Sequence, residues 1–439
     1  MKKGILVILA LGFFSLLQAQ QEWSLQACID HALANNIEIK QQELNTAYQE
    51  NLLKQNKGSR LPNLNASVSQ SFGFGRSLDL DNTYVNSTSS NTGFSLNSSV
   101  VLWQGGVLNQ SIKKQEFDLK SSVADLEKAK DDITINIAQS YLEILFADEI
   151  IGALNAQLEQ TLLQIERTEK LVKAGKVAEG TLLEIKAQAA REKLELVNAE
   201  NNRKIKRLNL VQLLELDNYT DFNIARPVLP EILAEHHLIS ARAVFDAALS
   251  IRPEIKSAEY QVESSHAQLQ IAKAGRLPSL TASASLYDQY YTSSTRSNID
   301  FNQQMVDNYR SSLALSLSIP IFNRFENKYN IQNAEIQIES SKLSLESTKK
   351  ELRQQIEQAY FNALASFESY NANKVAVASM SESFRYMTQK FELGRVNSVE
   401  YNDAKTNLAK AQSDLIQAKY EFIFRSKILD FYNGVPIVL

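Results

Sequence analysis

The chain contains two similar halves, offset from one another by 216 to 219 residues. Segment 58–69 reads GSRLPNLNASVS, and segment 275–285 reads GRLPSLTASAS. Other matching pairs at these offsets are Ala32/Ala248, Glu38/Glu254, Gln139/Gln358, Tyr141/Tyr360, Gly175/Gly394 and Lys186/Lys405. Solenoid repeats are only about 20–50 residues long. The repeat is therefore a duplicated half-molecule, and each half must be built as one structural module.

The composition favours long helices and disfavours a nucleic-acid partner. Only 14 Gly and 7 Pro in 439 residues leave few places to break a helix. Ala, Leu, Glu, Gln and Lys, which have high helix propensity, dominate long stretches. The formal net charge is −4, whereas a nucleic-acid-binding protein needs a basic face.

Residues 1–19 have the pattern of a cleaved export signal. Lys2 and Lys3 precede an apolar run, and Ala19 is the small residue at the expected cleavage site. No later stretch approaches the ~18 apolar residues of a membrane-spanning helix. The lone cysteine, Cys28, lies too far beyond the apolar run for a lipid-modification site. We expect it to be buried on a short helix capped by Ser24, with a lipid anchor as the less favoured alternative.

In each half a lead-in helix, over 37–57 and 254–274, is followed by a change to a period of two. Apolar side chains alternate with Ser, Asn and Gly, most clearly over 64–74 and 309–321. The alternation predicts β-hairpins at 62–104 and 278–322, with the polar stretches 76–92 and 292–308 as their loops.

One apolar and one small polar face is typical of membrane barrel strands; a soluble β-sandwich is the alternative. Four strands are too few to close a barrel, which needs about eight. Their edges must therefore pair with something, and other copies of the chain are the simplest partner.

Each hairpin is followed by a proline-free helical stretch, over about 107–173 and 326–392. At 1.5 Å per residue, such a helix is ~100 Å long. Gly175 and Gly394 provide the left-handed conformation that ends each of these helices. Returning helices over 181–216 and 399–432 are only half as long, so we expect the lead-in helix to stack on the end of each.

The chain resembles the TolC family of outer-membrane efflux proteins over essentially its whole length. The resemblance is carried by the repeat, by the two Gly turns, and by the motifs at the strand ends. These motifs are Arg60-Leu61-Pro62 and Arg276-Leu277-Pro278 before strands, and Leu102-Trp103-Gln104-Gly105-Gly106 and Ile321-Phe322-Asn323 after them.

The resemblance implies a mainly α protein with membrane β-structure. It implies a homotrimer that shares a 12-stranded β-barrel in the outer membrane. This barrel would continue into a long α-helical barrel of coiled-coil hairpins in the periplasm. The resemblance also implies a passive exit duct for efflux of small molecules or for type I secretion. Its partners would be a periplasmic adaptor, an inner-membrane pump of the RND or ABC type, and outer-membrane lipid.

The corresponding division of the chain has two structural repeats joined by a connector. The first repeat covers 20–216 and contains the helical hairpin 107–216 with its turn at Gly175. The connector covers 217–238. The second repeat covers 239–439 and contains the helical hairpin 326–432 with its turn at Gly394.

In the family, acidic residues just beyond the second glycine turn line the pore constriction. The matching positions are Glu400 and Asp403, which lie three residues apart and therefore on one helix face. Around a threefold axis they would form rings that favour cations. The alternative is two exposed carboxylates on a solvated helix. Their first-half counterparts, Thr181 and Glu184, repeat the acidic pair only in part.

The resemblance also implies adaptor contacts at the tips of the helical hairpins. The candidate contact residues are Lys173, Gly175, Lys176, Gly394, Arg395 and Val396. Plain helix capping explains the glycines equally well.

We predict no enzymatic activity, cofactor or metal. His31, His236, His237 and His266 lack the partner four residues on that a helical metal site would need. Phosphate-binding and nucleophile-elbow motifs are also missing. The alternatives to a channel are a periplasm-spanning coiled coil without a pore, and a surface adhesin.

Overall fold

The computed structural model describes residues 22–78, 81–217, 222–229, 232, 238–295 and 300–439. The predicted export signal, much of the connector, and His236 and His237 lie outside the described residues. The described residues form nine α-helices and six β-strands.

The helices are α1 (Leu25–Asn35), α2 (Ile37–Gly58), α3 (Val107–Lys173), α4 (Glu179–Leu213), α5 (Ala241–Ile251), α6 (Pro253–Ala274), α7 (Phe301–Asp307), α8 (Glu326–Glu392) and α9 (Ser398–Tyr432). The strands are β1 (Glu22–Trp23), β2 (Asn65–Leu78), β3 (Tyr84–Gln104), β4 (Asn223–Ile224), β5 (Ser279–Ser293) and β6 (Arg310–Ser318). None of the described helices contains a stretch long and apolar enough to cross a membrane.

The two long helices, α3 and α8, have 67 residues each, and the returning helices α4 and α9 have 35 each. The lead-in helices meet the ends of the returning helices in both halves. Asn36, before α2, donates through Nδ2 to the carbonyl of Leu213 at 3.1 Å. In the second half, the guanidinium of Arg252, before α6, lies 5.1 Å from the ring centroid of Phe431 in α9. This is the end-to-end stacking that the helix lengths predict.

Compact packing does not follow the sequence repeat. One compact unit contains Asn45–Val123 and Ser257–Glu346, and the other contains the described residues up to Leu44 together with Ala124–Lys256 and Ser347–Leu439. Each unit therefore takes segments from both halves of the chain, so neither half packs as a globule of its own.

The first of these units contains a four-stranded antiparallel sheet in the order β2-β3-β5-β6. In its register, Val68 lies opposite Phe94, and Ser67 lies opposite Ser95. One face of the sheet is therefore largely apolar, and the other carries mainly Ser, Asn, Gly and Tyr.

The prediction of a long loop over 76–92 is wrong, because most of that stretch is strand. β2 continues to Leu78 and β3 already begins at Tyr84. The polar side chains bond across the strands: the hydroxyls of Ser77 and Ser87 are 2.5 Å apart, and Thr92 donates to Gln70 at 2.5 Å. Their composition suggested a loop, but their period of two is that of a strand.

The second expected loop, over 292–308, also contains regular structure. The short helix α7 lies within it, and its N-cap is Asp300, whose carboxylate accepts from the N–H of Asn302 at 3.0 Å. The strand predicted over 309–321 is shorter in the structure, since β6 ends at Ser318 before Pro320.

Helices in this unit are joined by pairs of small hydroxyl residues. The hydroxyl oxygens of Thr46 and Ser122 are 3.1 Å apart, which joins α2 to α3. Ser121 and Ser257 join α3 to α6 at 2.9 Å, and a contact of 2.8 Å between Ser265 and Ser341 joins α6 to α8. Small side chains allow close helix packing, and each buried hydroxyl then needs such a partner.

The second unit contains the main hydrophobic core, and Cys28 is fully buried in it as expected. Burial raises the pKa of the Cys28 thiol to about 12. Tyr141 is also buried, and its hydroxyl donates to the carbonyls of Ala225 at 2.6 Å and Trp23 at 3.1 Å. It fastens the parallel β1–β4 pair, which the sequence analysis did not predict.

Arg252 forms a buried charged junction where α5, α6 and α9 meet. Its side chain pairs with Asp131 at 3.2 Å and with Glu254 at 3.3 Å. Burial raises the pKa of Asp131 to about 6 and outweighs the opposing effect of the Arg252 guanidinium. The ionised form of Asp131 is therefore disfavoured in the folded protein.

The Asp131→Asn substitution removes the ionisable group, so the thermal stability of the variant should differ from that of wild type by an amount that depends on pH. Because its folded pKa is raised, Asp131 contributes stability fully below pH about 4 and loses that contribution as the pH rises through about 6. The melting temperature of the variant should therefore rise relative to wild type between pH 4 and 7, as followed by circular dichroism. Asp414→Asn, an exposed site on α9, controls for the lost charge. A difference that stays constant with pH would contradict the assignment.

Candidate functional site at the turns of the helical hairpins

Both long helices end in the same glycine C-cap. Gly175 has φ +68°, and the N–H groups of Lys176 and Gly175 donate to the carbonyls of Leu171 and Val172, both at 2.9 Å. Gly394 has the same φ of +68°, and matching bonds run from Arg395 to Lys390 and from Gly394 to Phe391. This pair of bonds is the Schellman motif, which requires the left-handed conformation that glycine adopts without strain.

The turn residues predicted as partner contacts face solvent, with one exception. The exposed residues are Lys173, Gly175, Lys176, Gly394 and Arg395, whereas Val396 is half-buried. Leu393, beside the second turn, is also exposed. The two turns differ chemically, since the first presents two lysines and the second a leucine and an arginine.

Glu400 and Asp403 lie on the exposed side of the first turns of α9. Asn397 caps this helix: its Oδ1 accepts from the N–H of Glu400 at 2.8 Å, and its Nδ2 donates to Glu400 Oε1 at 3.2 Å. A carboxylate at a helix N-terminus is stabilised by the unpaired N–H groups there. Glu400 therefore has a structural role as well, and its carboxylate is held close to the turn.

Two contacts near the turns join the hairpin formed by α3 and α4 to the hairpin formed by α8 and α9. Arg167 Nη1 lies 2.8 Å from Glu392 Oε1, with 56% and 47% of the two side chains exposed. The hydroxyl of Ser398 donates to the carboxylate of Glu184. Exposed ion pairs are worth about 0–1 kcal/mol and are screened by salt, so the Arg167–Glu392 link is weak. Ser398, by contrast, is buried.

Aromatic packing joins α8 to the start of α9. The ring of Tyr401 is stacked on Phe391 at a centroid distance of 4.7 Å and contacts Phe384 at 5.3 Å. Burial raises the pKa of the Tyr401 phenol. These half-buried rings cover one side of the first turn of α9, whereas the neighbouring Glu400 is exposed.

A buried ion pair a turn further along α9 was missed by the sequence analysis. Lys405 Nζ lies 3.0 Å from Glu192 Oε1, and the two side chains are 7% and 1% exposed. Lys405 also donates to the hydroxyl of Thr161 and, at 3.1 Å, to the carbonyl of Gln157. The repeat pairs Lys405 with Lys186, but spacing alone gave no signal that one of them is buried.

Long paired helical hairpins, a four-stranded sheet with one apolar face and an internal duplication together define the class of outer-membrane channel proteins. The chain matches the family described as "Outer membrane efflux protein" over residues 28–215 and 244–430, and it belongs to that family.

Among its relatives is the outer membrane protein TolC of Escherichia coli (strain K12). It is 24% identical over 444 residues, which cover 96% of this chain and 84% of TolC. The chain also shares its fold with solved channels. The outer membrane protein VceC of Vibrio cholerae has a TM-score of 0.77 at 18% identity, covering 94% of this chain and 96% of VceC. The CmeC outer membrane channel of Campylobacter jejuni has a TM-score of 0.78 at 20% identity, covering 94% of this chain and 86% of CmeC.

The resemblance and the mainly α fold with its internal duplication are thus confirmed, whereas the trimer and its shared barrel stay predictions. Both halves of the duplication match the family separately. The roles of individual residues at the turns stay predictions.

Gly175→Ala and Gly394→Ala should each destabilise the helical part of the protein. A Cβ at either position meets no other atom within 4 Å, so the cost comes from the left-handed backbone alone, roughly 1–2 kcal/mol. Gly152→Ala is the matched control. It also has open space around it but lies inside α3, where alanine should stabilise by roughly 0.5–1 kcal/mol. Thermal unfolding followed by circular dichroism measures all three. Equal melting temperatures would show that the caps contribute nothing.

Proposed function

We propose that the chain is a passive exit duct of an export system, in which three copies form one continuous channel across the outer membrane and the periplasm. The observation that best supports this proposal is the four-stranded sheet. In a single chain its apolar face is exposed, and so are both of its edge strands. Family membership supports the outer membrane as its location.

The sheet edges support closure by other copies of the chain. β2 and β6 are the outer strands, and each lacks a neighbour on one side among the described residues. Because every adjacent pair is antiparallel, β6 of one copy can add to β2 of the next in the same alternating pattern. Three copies would supply twelve strands, which exceeds the minimum of about eight for a closed barrel.

The two faces of the sheet support a membrane location for that barrel. Val68 and Phe72 on β2, and Leu313 and Leu315 on β6, are all well exposed on the apolar face. On the other face, hydroxyls bond across strands, as between Ser67 and Ser95 at 2.6 Å and between Ser285 and Ser312 at 2.8 Å. Apolar side chains facing lipid and small polar side chains facing water are what a membrane barrel requires.

Leu315→Lys and Ser316→Lys should have opposite outcomes, although the residues are neighbours and both exposed on β6. A lysine on the lipid-facing side near mid-membrane costs roughly 2–4 kcal/mol, whereas a lumen-facing lysine is tolerated. We expect Leu315→Lys to reduce the amount of assembled protein in the outer-membrane fraction, and Ser316→Lys to leave it near wild type. Separation of membranes followed by mass measurement in detergent tests this. A monomeric wild type, or equal behaviour of the variants, would contradict the shared barrel.

We further propose that the two glycine turns form the periplasmic mouth of the duct. The acids Glu400 and Asp403, repeated by threefold symmetry, would give two rings of negative charge that favour cations. Lys173, Lys176 and Arg395 would face a periplasmic adaptor protein. The energy would come from an inner-membrane pump of the RND or ABC type.

The names of the relatives support both efflux and secretion as forms of export. The family is named for efflux, whereas one relative is the alkaline protease secretion protein AprF of Pseudomonas aeruginosa, which is 22% identical over 69% of this chain and 62% of its own length. A passive duct suits either, because its own residues take no part in a chemical step.

Removing both acids should weaken the preference of the channel for cations. In planar bilayers we expect Glu400→Ala with Asp403→Ala to lower the permeability ratio of K⁺ to Cl⁻ severalfold and to weaken block by multivalent cations, because the charge at the mouth is lost. Glu159→Ala with Glu195→Ala removes two other exposed carboxylates, on α3 and α4, and controls for net charge. If the ratio is the same in wild type and both double variants, these acids do not line the pore.

A further inference from the structure

We propose that Lys405 is a positioning residue of the mouth. By a buried bond to Glu192 it clamps the start of α9 onto the first helical hairpin, and it thereby holds Glu400 and Asp403 in place. The inference rests on the proposed role of those two acids.

The bonds of Lys405 join three helices at one point. Its ammonium has three N–H donors, and it has three acceptors: Glu192 Oε1 on α4, and the Thr161 hydroxyl and Gln157 carbonyl on α3. Glu192 also accepts from Thr161 at 2.5 Å, from Gln157 at 3.0 Å and from Gln188 at 3.1 Å. Burial opposes ionisation of Glu192, but these hydrogen bonds outweigh it and lower its pKa. Burial also lowers the pKa of Lys405, and the bond to Glu192 opposes this effect. The geometry shows a buried pair in which the lysine has three acceptors and the carboxylate has several donors.

Helix geometry places Lys405 behind the two acids. Successive residues of a helix are rotated by about 100°, so Lys405, two residues after Asp403, points to the opposite side of α9. Asp403 and Glu400 are exposed while Lys405 is buried. The first turns of α9 are thus held from the back by the lysine, and any movement of this segment away from Glu192 also moves both carboxylates.

The duplication shows that this link is a specialised feature of the second half. Lys186, the counterpart of Lys405, pairs with Glu169 at 2.8 Å within its own hairpin, with both side chains well exposed. The position equivalent to Glu169 in the second half is Thr388, so the second hairpin lacks that acid. Lys405 instead reaches Glu192 in the first hairpin, and a local pair has become a link between hairpins.

The clamp differs in kind from the links nearer the turns. Both side chains of the Arg167–Glu392 pair are exposed. Salt therefore screens this pair, and its loss costs little free energy. Breaking the Lys405–Glu192 pair would leave an uncompensated buried charge, which is far costlier. The exposed Arg167–Glu392 pair can therefore be lost while α9 stays attached at Lys405.

The test compares Lys405→Met with Lys186→Met in the assembled full-length channel. If Lys405 acted only through its charge, removing a cation near the acids would raise the K⁺ to Cl⁻ permeability ratio. We expect the ratio to fall at least twofold, because the acids lose their fixed position. We also expect amide hydrogen exchange over 399–404 to accelerate by about tenfold or more. Lys186→Met should change neither quantity.

If Lys405→Met does not assemble, Lys405→Met with Glu192→Gln removes both charges and should give the same loss of selectivity and protection. An unchanged or raised permeability ratio with unchanged exchange, in either variant, overturns the proposal. A separate result would show that the proposed role of the two acids is wrong: Glu400→Ala with Asp403→Ala would then leave the selectivity of the channel unaltered. Hydrogen exchange in Lys405→Met would still show whether Lys405 holds α9.

Discussion

The unpaired edges of the four-stranded sheet are the constraint on which the rest of the structure depends. A strand edge in lipid leaves N–H and C=O groups without hydrogen bonds, at a cost of several kcal/mol for each group. Among the described residues, β2 and β6 have no neighbour on their outer sides, so in the proposed barrel other copies of the chain would supply the missing neighbours. A closed symmetric barrel then requires that each chain make the same contacts, and everything attached to the strands, including the turns and their charges, is repeated around the same axis.

The duplication explains how one chain supplies two nearly equivalent sets of strands and helices, and its departures from symmetry mark the positions with separate tasks. Both glycine caps are conserved between the halves, with the same φ of +68°. The acids are not: Glu400 and Asp403 correspond to Thr181 and Glu184. Since the cap only ends a helix, both halves need it. In the proposed constriction the acids come from only one hairpin of each copy, whereas Glu184 of the other hairpin contacts Ser398.

The sequence predicted the helices well because their signals are local. The absence of proline between 107 and 173 predicts the length of α3 without tertiary information. Gly175 and Gly394 likewise predict where α3 and α8 end. Strand lengths were harder to predict. Ser and Asn over 84–92 suggested a loop by composition, and only their pairing across β2 and β3 makes them strand. The Lys405–Glu192 pair could not be predicted, because it joins residues 213 positions apart and its lysine resembles an exposed counterpart.

The contacts that join the two hairpins differ in burial. Near the turns the Arg167–Glu392 pair is exposed and the Ser398–Glu184 bond is partly buried, whereas the Lys405–Glu192 pair is buried on both sides. Because an exposed pair contributes about 0–1 kcal/mol and a broken buried pair costs about 3–5 kcal/mol, a force applied at the turns separates the outermost contacts first. In the proposed duct, a partner that binds the turns would break the exposed Arg167–Glu392 pair at a small cost in free energy, whereas the Lys405–Glu192 pair would keep α9 joined to the first hairpin.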